Sequence, residues 1–276
     1  MSPDRSRPST GLLSGKRVLV TGVLTPKSIA FAIADACQQA GARVVLSSFG
    51  RAMSLTQRSA QRLSPSPEVL ELDVTDVDQA RAVAEQVRNL WGGLDGVVHA
   101  IGFAPEDCLG GGFLDAPWSS VATAFEVSSY SLRTLAHEFV PLMPETGGSV
   151  VSLTFDARVA WPLYDWMGPA KAALEAISRY LARDLGRRKV RVNTLAAGPL
   201  ETIAAKSIPG FEVLKSSWQT QAPLGWDSAD AGPVADAAVF LLSDLSRAIT
   251  GEMLHVDGGY HSQGAPLLEV VEVASR

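Results

Sequence analysis

The chain has 276 residues, of which 46% are hydrophobic and 19% charged, and its formal net charge is -5 at pH 7. This composition supplies material for a large core and excludes extended disorder. Phosphate binding depends on clustered cations, and the sequence has no dense run of Lys and Arg, so nucleic acid is excluded as the main ligand.

Cysteine, histidine and hydropathy patterns limit the classes further. Cys37 and Cys108 lie far apart without CxxC spacing, which indicates reduced thiols of a cytoplasmic protein. The four histidines lack the spacing of metal ligands, so no metal site is predicted. No uncharged apolar run approaches the ~18 residues of a membrane span, so no membrane association is expected.

Runs rich in Val, Leu and Ile recur along the chain and predict strands buried on both faces. These strands are Arg17–Thr21, Ala42–Phe49, Glu68–Asp73, Leu94–Gly102, Ser149–Phe155, Val190–Ala197 and Glu252–Asp257. Stretches with helical spacing separate them, and the first of these ends at Gly41. This alternation predicts an α/β fold with a single Rossmann-like, doubly wound parallel sheet and helices on both faces.

One domain is expected. Residues 1–13, rich in Ser, Pro and Arg, are predicted to be a flexible N-terminal tail, and residues 264–276 a C-terminal tail. Residues 14–263 then form a dinucleotide-binding catalytic domain, with a substrate loop at about 200–222 over the sheet edge.

In doubly wound folds, ligands bind outside the carboxyl ends of the strands. After the first strand, Gly22 and Val23 form a turn, and Ser28 and Ile29 begin a helix whose free amides are placed to hold a pyrophosphate. The GxGxxG pattern is absent, so a plain strand–turn–helix corner is the competing interpretation.

The next strands end in residues suited to an adenosine. Phe49 offers a surface for stacking on adenine, while Arg51 either faces solvent or meets a 2′-phosphate. Asp73, followed by Val74, either accepts from the adenine amino group or caps the helix starting near Thr75.

The fourth strand ends in Ala100, Ile101 and Gly102, where backbone is expected to pack against the cofactor because glycine permits a close approach.

Tyr164 and Lys171 stand seven positions apart, close to two helical turns, so both side chains are expected to point to one side of a helix. A neighbouring ammonium favours the phenolate, which predicts an acidic tyrosine. Taken alone, the spacing also suits an unrelated buried tyrosine and surface lysine. Pro169 lies between them and either marks the helix start or kinks the helix.

Motifs spread from about Leu13 to Gln263 carry a family resemblance. They are Gly22 with Ser28-Ile29-Ala30, Leu72-Asp73-Val74, Asp95-Gly96-Val97-Val98-His99 with Ile101-Gly102-Phe103, Phe155-Asp156, Tyr164-Asp165-Trp166-Met167 with Ala170-Lys171, Ala196-Ala197-Gly198-Pro199, Ala222-Pro223-Leu224-Gly225-Trp226 and Asp257-Gly258-Gly259. On these motifs the chain resembles the enoyl-acyl-carrier-protein reductases of bacterial fatty acid synthesis, a divergent branch of the short-chain dehydrogenases, and most of all the actinobacterial type.

The resemblance implies transfer of hydride from NADH to the β-carbon of a trans-2-enoyl thioester of acyl carrier protein or coenzyme A. It assigns Tyr164 to the thioester carbonyl, Lys171 to the nicotinamide ribose and Phe155 to the border of the double bond. Leu200 and Thr202 line the pyrophosphate and carboxamide side. A homotetramer is also implied, with apolar helices as interfaces.

The chain departs from the family pattern at Pro169, at Gly50 and in the segment after Thr202, which is shorter than in relatives that take long acyl chains. Ordinary dehydrogenases of this superfamily place tyrosine four positions before lysine, whereas Gly168 stands four positions after Tyr164, which tells against a ketoreductase. Gly50 stands where close relatives often have an acidic residue, so NADPH is the alternative cofactor. A ketoreductase of specialised metabolism and a catalytically idle NAD-binding sensor are the alternative functions.

Overall fold

A computed structural model of the protein describes residues 11–206 and 208–264. Seven strands in this part of the chain form one sheet: β1 Arg17–Thr21, β2 Arg43–Ser48, β3 Val69–Glu71, β4 Gly96–His99, β5 Gly148–Thr154, β6 Val190–Ala197 and β7 Met253–Val256. All neighbouring strands are parallel, in the order β3-β2-β1-β4-β5-β6-β7. Every predicted strand is present, and the doubly wound parallel sheet is confirmed.

Helices connect the strands and cover both faces of the sheet. They are α1 Ile29–Gln39, α2 Met53–Ala60, α3 Val77–Trp91, α4 Trp118–Phe125, α5 Ser131–Phe139, α6 Met167–Leu185, α7 Ile203–Lys206, α8 Phe211–Gln221 and α9 Gly232–Leu242. Helices α1 and α9 pack together over one core, and α3, α5 and α6 over the other.

Strand β1 illustrates why the strands are apolar on both sides. Val18 and Val20 belong to the core on one face, whereas Leu19 lies in the core on the opposite face, and all three are buried. A strand covered on both faces is stabilised by apolar side chains at consecutive positions. Its sequence is therefore a continuous apolar run instead of an alternation of apolar and polar residues.

The chain reverses its direction of winding between β1 and β4, the switch point at which doubly wound folds bind ligands. Gly22 has a φ of +84°, and a Cβ there would overlap the carbonyl of Ala100. The Thr21 hydroxyl donates to Val98 O at 2.9 Å and accepts from Ala100 N at 3.2 Å. The loops after β1 and β4 are therefore held in direct contact.

The edges of the predicted domain need adjustment. Leu13, assigned to the N-terminal tail, is fully buried, and its amide donates to Ala40 O, so Leu13 packs onto the domain. The rest of that tail, and all but residue 264 of the C-terminal tail, lie outside the described residues. The predicted substrate loop at 200–222 contains α7 and α8. No described helix is long and apolar enough to cross a membrane.

Candidate active site

Tyr164 lies in a tight turn that precedes α6. The prediction that Tyr164 and Lys171 share a helical face is wrong, because α6 begins at Met167. Pro169 sits in the first turn of α6, where its missing N–H breaks no helical hydrogen bond, so no kink arises. Leu163 and Asp165, on either side of the tyrosine, adopt positive φ angles of 61° and 38°. Such strained backbone persists only where surrounding contacts hold it.

Contacts with residues 108–113 hold this turn in place. Gly110 N donates to Leu163 O at 3.0 Å, Trp166 N donates to Cys108 O at 3.1 Å, and Gly111 N donates to the Asp165 carboxylate. The indole N–H of Trp166 also donates to Phe113 O, and the two aromatic rings stack on each other. The position of the phenol thus depends on two segments that are distant in sequence.

Lys171 lies on the first turns of α6 with its side chain directed at the ends of two strands. Its Nζ donates to Leu153 O at 3.0 Å and to Ile101 O at 3.5 Å. A Cβ on Gly102 would lie 3.4 Å from this Nζ, so glycine keeps the ammonium close to the loop after β4. Burial lowers the pKa of Lys171 to about 8, although the negative charge of Glu175 opposes that change.

Burial and the charge of Glu175 both raise the pKa of Tyr164 above its ordinary value. The prediction of a phenol made acidic by Lys171 is therefore wrong, because desolvation and the negative charge of Glu175 both disfavour the phenolate. A phenol that keeps its proton is a hydrogen-bond donor. Among the described residues, its hydroxyl has no hydrogen-bond partner.

An aromatic cluster extends outward from Tyr164. The ring of Phe155 meets the tyrosine ring edge-on, with centroids 5.4 Å apart, and also contacts Trp161 and Trp218. Trp218 stacks on Tyr260 at 3.7 Å. The rings of Phe155, Trp161, Trp218 and Tyr260 line a cavity of about 520 Å³. Tyr164 is not part of this lining. Phe155 was predicted at this site from its motif, whereas Trp218 and Tyr260 lie far along the chain and were not predicted there.

The opposite wall of this cavity is charged. Asp156 pairs with Arg158 at 2.6 Å and with His255 at 3.0 Å, and His255 stacks on His261, which contacts Asp257. Burial raises the pKa of Asp156, but the hydrogen bonds from Arg158 and His255 outweigh burial and bring it to about 2. The pairing of Asp156 with His255 joins residues 99 positions apart, which sequence spacing cannot reveal.

The turn after β1 has the form expected of a phosphate site. Ser28 precedes α1, and its Oγ accepts hydrogen bonds from Leu24 N at 3.1 Å and Thr25 N at 3.0 Å. Both bonds use oxygen lone pairs, so the hydroxyl proton remains for an acceptor. Val23 is fully buried and Ile29 partly buried, so these two residues anchor the turn.

Residues proposed for the adenosine lie at the ends of β2 and β3. The ring of Phe49 is half exposed and Arg51 is exposed, without an ion-pair partner in the described part of the chain. Asp73 Oδ1 accepts from the amide and hydroxyl of Thr75, while Val74 is buried. The alternative in which Asp73 caps α3 is wrong, because Asp76 occupies the N-cap and accepts from two amides of the first turn.

Leu200 and Thr202 follow β6. The Leu200 side chain lies in the core beside α1 and α9, so only its backbone is free to face a cofactor. Thr202 Oγ1 accepts from Ala205 N at 3.0 Å at the start of α7. Leu200 also lines a cavity of about 590 Å³ beside the beginning of α1, which is larger than the aromatic cavity but does not include Tyr164 in its lining.

The strand order and the residues at the carboxyl edge define a doubly wound α/β domain of the dinucleotide-binding type. A family model described as Enoyl-(Acyl carrier protein) reductase matches residues 22–261. A protein named enoyl-(acyl-carrier-protein) reductase (NADH) from Mycolicibacterium smegmatis is 42% identical over 92% of this chain and 99% of its own length. Proteins of the same name from Mycobacterium avium and Aquifex aeolicus are 40% and 39% identical, over 92% of this chain in each case and over 98% and 94% of their own lengths. The chain belongs to the enoyl-(acyl carrier protein) reductase family.

Proposed function

We propose that this chain is an NADH-dependent enoyl-thioester reductase in fatty acid or related acyl-chain biosynthesis. The observation that carries the proposal is the grouping of a buried, protonated Tyr164 with Phe155 and the ammonium of Lys171 at the carboxyl edge of the sheet. The relatives support the choice of NADH and of acyl carrier protein as the thioester carrier, because their names state both. Coenzyme A is the alternative carrier.

The cradle made by Gly22 and Ala100, the start of α1 and the exposed ring of Phe49 fit a dinucleotide. We assign cofactor contacts to Gly22, Val23, Ser28, Ile29, Phe49, Asp73, Val74, Ala100, Ile101, Gly102, Lys171, Leu200 and Thr202. NADH, when bound, supplies the hydride that is added to the β-carbon of the enoyl group. Lys171 is assigned to the ribose hydroxyls of its nicotinamide half.

Tyr164 is assigned to the oxygen of the thioester carbonyl. Addition of hydride to the β-carbon places negative charge on that oxygen, and a donor held there stabilises the transition state more than the ground state. The raised pKa keeps the proton on Tyr164, so the phenol donates a hydrogen bond instead of acting as a base. Phe155 packs against the phenol ring and limits the directions from which a substrate approaches.

A cytoplasmic homotetramer is the proposed assembly. Trp118 on α4 and Tyr180 on α6 are 76% and 65% exposed, and the neighbouring Tyr130 is 52% exposed. Large exposed rings on adjoining elements are typical of surfaces that bind another chain. Sedimentation equilibrium tests the tetramer, and a monomeric mass at micromolar concentration would contradict it.

Oxidation of NADH, followed at 340 nm with crotonyl thioesters of acyl carrier protein and of coenzyme A, tests the function. We expect turnover with both enoyl thioesters and none with a 3-oxoacyl thioester. Turnover with the 3-oxoacyl thioester alone would identify a ketoreductase. Binding of NADH without turnover of either substrate would identify a sensor.

Tyr164→Phe is the variant that tests the assigned donor. It is expected to lower kcat by about 100-fold, the loss of one oxyanion donor. The midpoint of thermal unfolding is expected to change little, because the phenol has no partner among the described residues that its loss would leave unpaired. Tyr180→Phe keeps the ring assigned to the proposed interface and removes only an exposed hydroxyl on α6, so it is the matched control and is expected to keep wild-type kcat. Equal kcat in both variants would contradict the assignment of Tyr164 as the donor to the thioester carbonyl.

A further inference from the structure

Helix α6 carries a second buried ionisable side chain, Glu175, one turn after Lys171. Glu175 is 6% exposed and Lys171 8% exposed. Residues four apart lie on the same side of a helix, so both side chains face the end of β5, and Lys171 also reaches the loop after β4. A buried carboxylate is costly unless hydrogen bonds or an opposite charge compensate for the lost water. Its presence therefore calls for a physical reason.

Two hydrogen bonds attach Glu175 to the segment that carries Phe155. Its Oε1 accepts from Thr154 Oγ1 at 2.9 Å and from Ala157 N at 3.1 Å. Lys171, one turn earlier, donates to Leu153 O. Two side chains of α6 thus hold residues 153–157 on both sides of Phe155, whose ring meets Tyr164 edge-on.

The charge of Glu175 also acts on Lys171. Burial favours the neutral amine, and the carboxylate counteracts this by favouring the ammonium. The other titratable groups around Lys171 are neutral: burial lowers the pKa of His99 on β4 to about 3, and burial raises the pKa of Tyr164. In the described part of the chain, Glu175 is therefore the negative charge that keeps this lysine protonated.

We propose that Glu175 is a positioning residue, which keeps Lys171 charged for the cofactor and holds Phe155 against Tyr164. This inference rests on the proposed function, because the role of Lys171 at the nicotinamide ribose is assigned there. Glu175 touches neither reacting group and acts through its two neighbours. Its two actions are separable, since one depends on charge and the other on hydrogen bonds.

The dissociation constant of NADH, measured by titration calorimetry between pH 6 and pH 9.5, separates the charge from the hydrogen bonds. In wild type we expect the constant to rise above about pH 8, where Lys171 loses its proton. Glu175→Gln keeps an oxygen acceptor for Thr154 and Ala157 but loses the charge. We expect its rise to begin about one pH unit lower, so that NADH binds roughly 3- to 10-fold more weakly at pH 8 and normally at pH 6.

Thr154→Val is the matched control that keeps the charge. It removes one hydrogen bond to Glu175, so we expect the wild-type pH dependence of NADH binding and a kcat lowered by roughly 2- to 5-fold through displacement of Phe155. Glu175→Asp retains the carboxylate with a shorter reach and is expected to behave in the same way. It serves as the second variant if Glu175→Gln does not fold.

The results distinguish a failure of the role of Glu175 from a failure of the proposed function. An unshifted profile for folded Glu175→Gln, or a shifted profile for Glu175→Asp, would overturn the role of Glu175 alone. A flat wild-type profile would overturn this inference together with the assignment of Lys171. If Glu175→Gln shows the expected shift in the pH dependence of NADH binding but the wild-type protein does not reduce enoyl thioesters, only the proposed function is contradicted. The calorimetric measurement of binding needs no reaction.

Discussion

Replacement of Lys171 by Met is expected to remove a pH-dependent contribution to folding stability. The ordinary pKa of 10.5 falls to about 8 in the folded protein because burial disfavours the charge. Below pH 8 both the folded and unfolded states are protonated, and the folded state bears the full cost of the buried ammonium. Between pH 8 and 10.5 the unfolded state binds more protons than the folded state, so the free energy of unfolding rises with pH.

The pKa difference sets the size of this effect. It corresponds to about 3 kcal/mol over the whole interval, of which about 2 kcal/mol is gained between pH 7 and pH 9.5. The methionine in Lys171→Met has a similar volume but no ionisable group. The free energy of unfolding of this variant therefore lacks the increase of about 2 kcal/mol between pH 7 and pH 9.5. We therefore expect the stability of the variant relative to wild type to fall by about 2 kcal/mol when the pH is raised over that interval.

Urea unfolding at pH 7 and pH 9.5 measures this difference for wild type and Lys171→Met. Lys27→Met, which replaces an exposed lysine, is the control and is expected to follow wild type. If wild type and Lys171→Met respond equally to pH, the buried ammonium is not the cause and the reasoning fails. The same variant should bind NADH about 10- to 100-fold more weakly at pH 7, since a charged hydrogen bond is lost.

Two further predictions concern the cofactor edge. Gly22→Ala is expected to destabilise the fold by roughly 1–3 kcal/mol and to weaken NADH binding, because the new Cβ would meet the Ala100 carbonyl. Gly50→Ala also introduces a residue at positive φ but has open space around it, so a smaller loss is expected, and equal unfolding midpoints would contradict the predicted clash. Catalytic efficiency should be higher with NADH than with NADPH, and Arg51→Ala should lower only the residual efficiency with NADPH. A wild-type preference for NADPH that Arg51→Ala abolishes would reverse this choice of cofactor.

The sheet was predictable because burial on both faces leaves a local trace. Val18, Leu19 and Val20 must all be apolar when helices cover both sides, and their neighbourhood in the sequence is enough to reveal a strand. The stop of α1 at Gly41 has an equally local cause, a backbone with φ of +95°. Leu13 was misplaced because its burial depends on a distant contact with Ala40.

The site was only partly predictable. The positions of Tyr164, Phe155 and Lys171 came from motifs, but helical spacing gave a wrong reason for the proximity of Tyr164 and Lys171, since Tyr164 precedes α6. The acidity of Tyr164 was misjudged because desolvation depends on the whole fold. Glu175 had a detectable signal, an acidic residue four positions after Lys171 and next to Leu174 on a helix with apolar spacing. The π-helical segment Glu126–Tyr130 left no such trace.

The turn around Tyr164 and residues 108–113 protect one another's amides. Gly110 N and Gly111 N donate into the turn, and Trp166 N donates back to Cys108 O. Neither segment can expose its amides to solvent without releasing the other, so the pair forms one cooperative opening unit for hydrogen exchange. We therefore expect loosening of the loop at Gly110 to release the phenol without any change at Tyr164 itself, through a segment that carries none of the proposed chemistry.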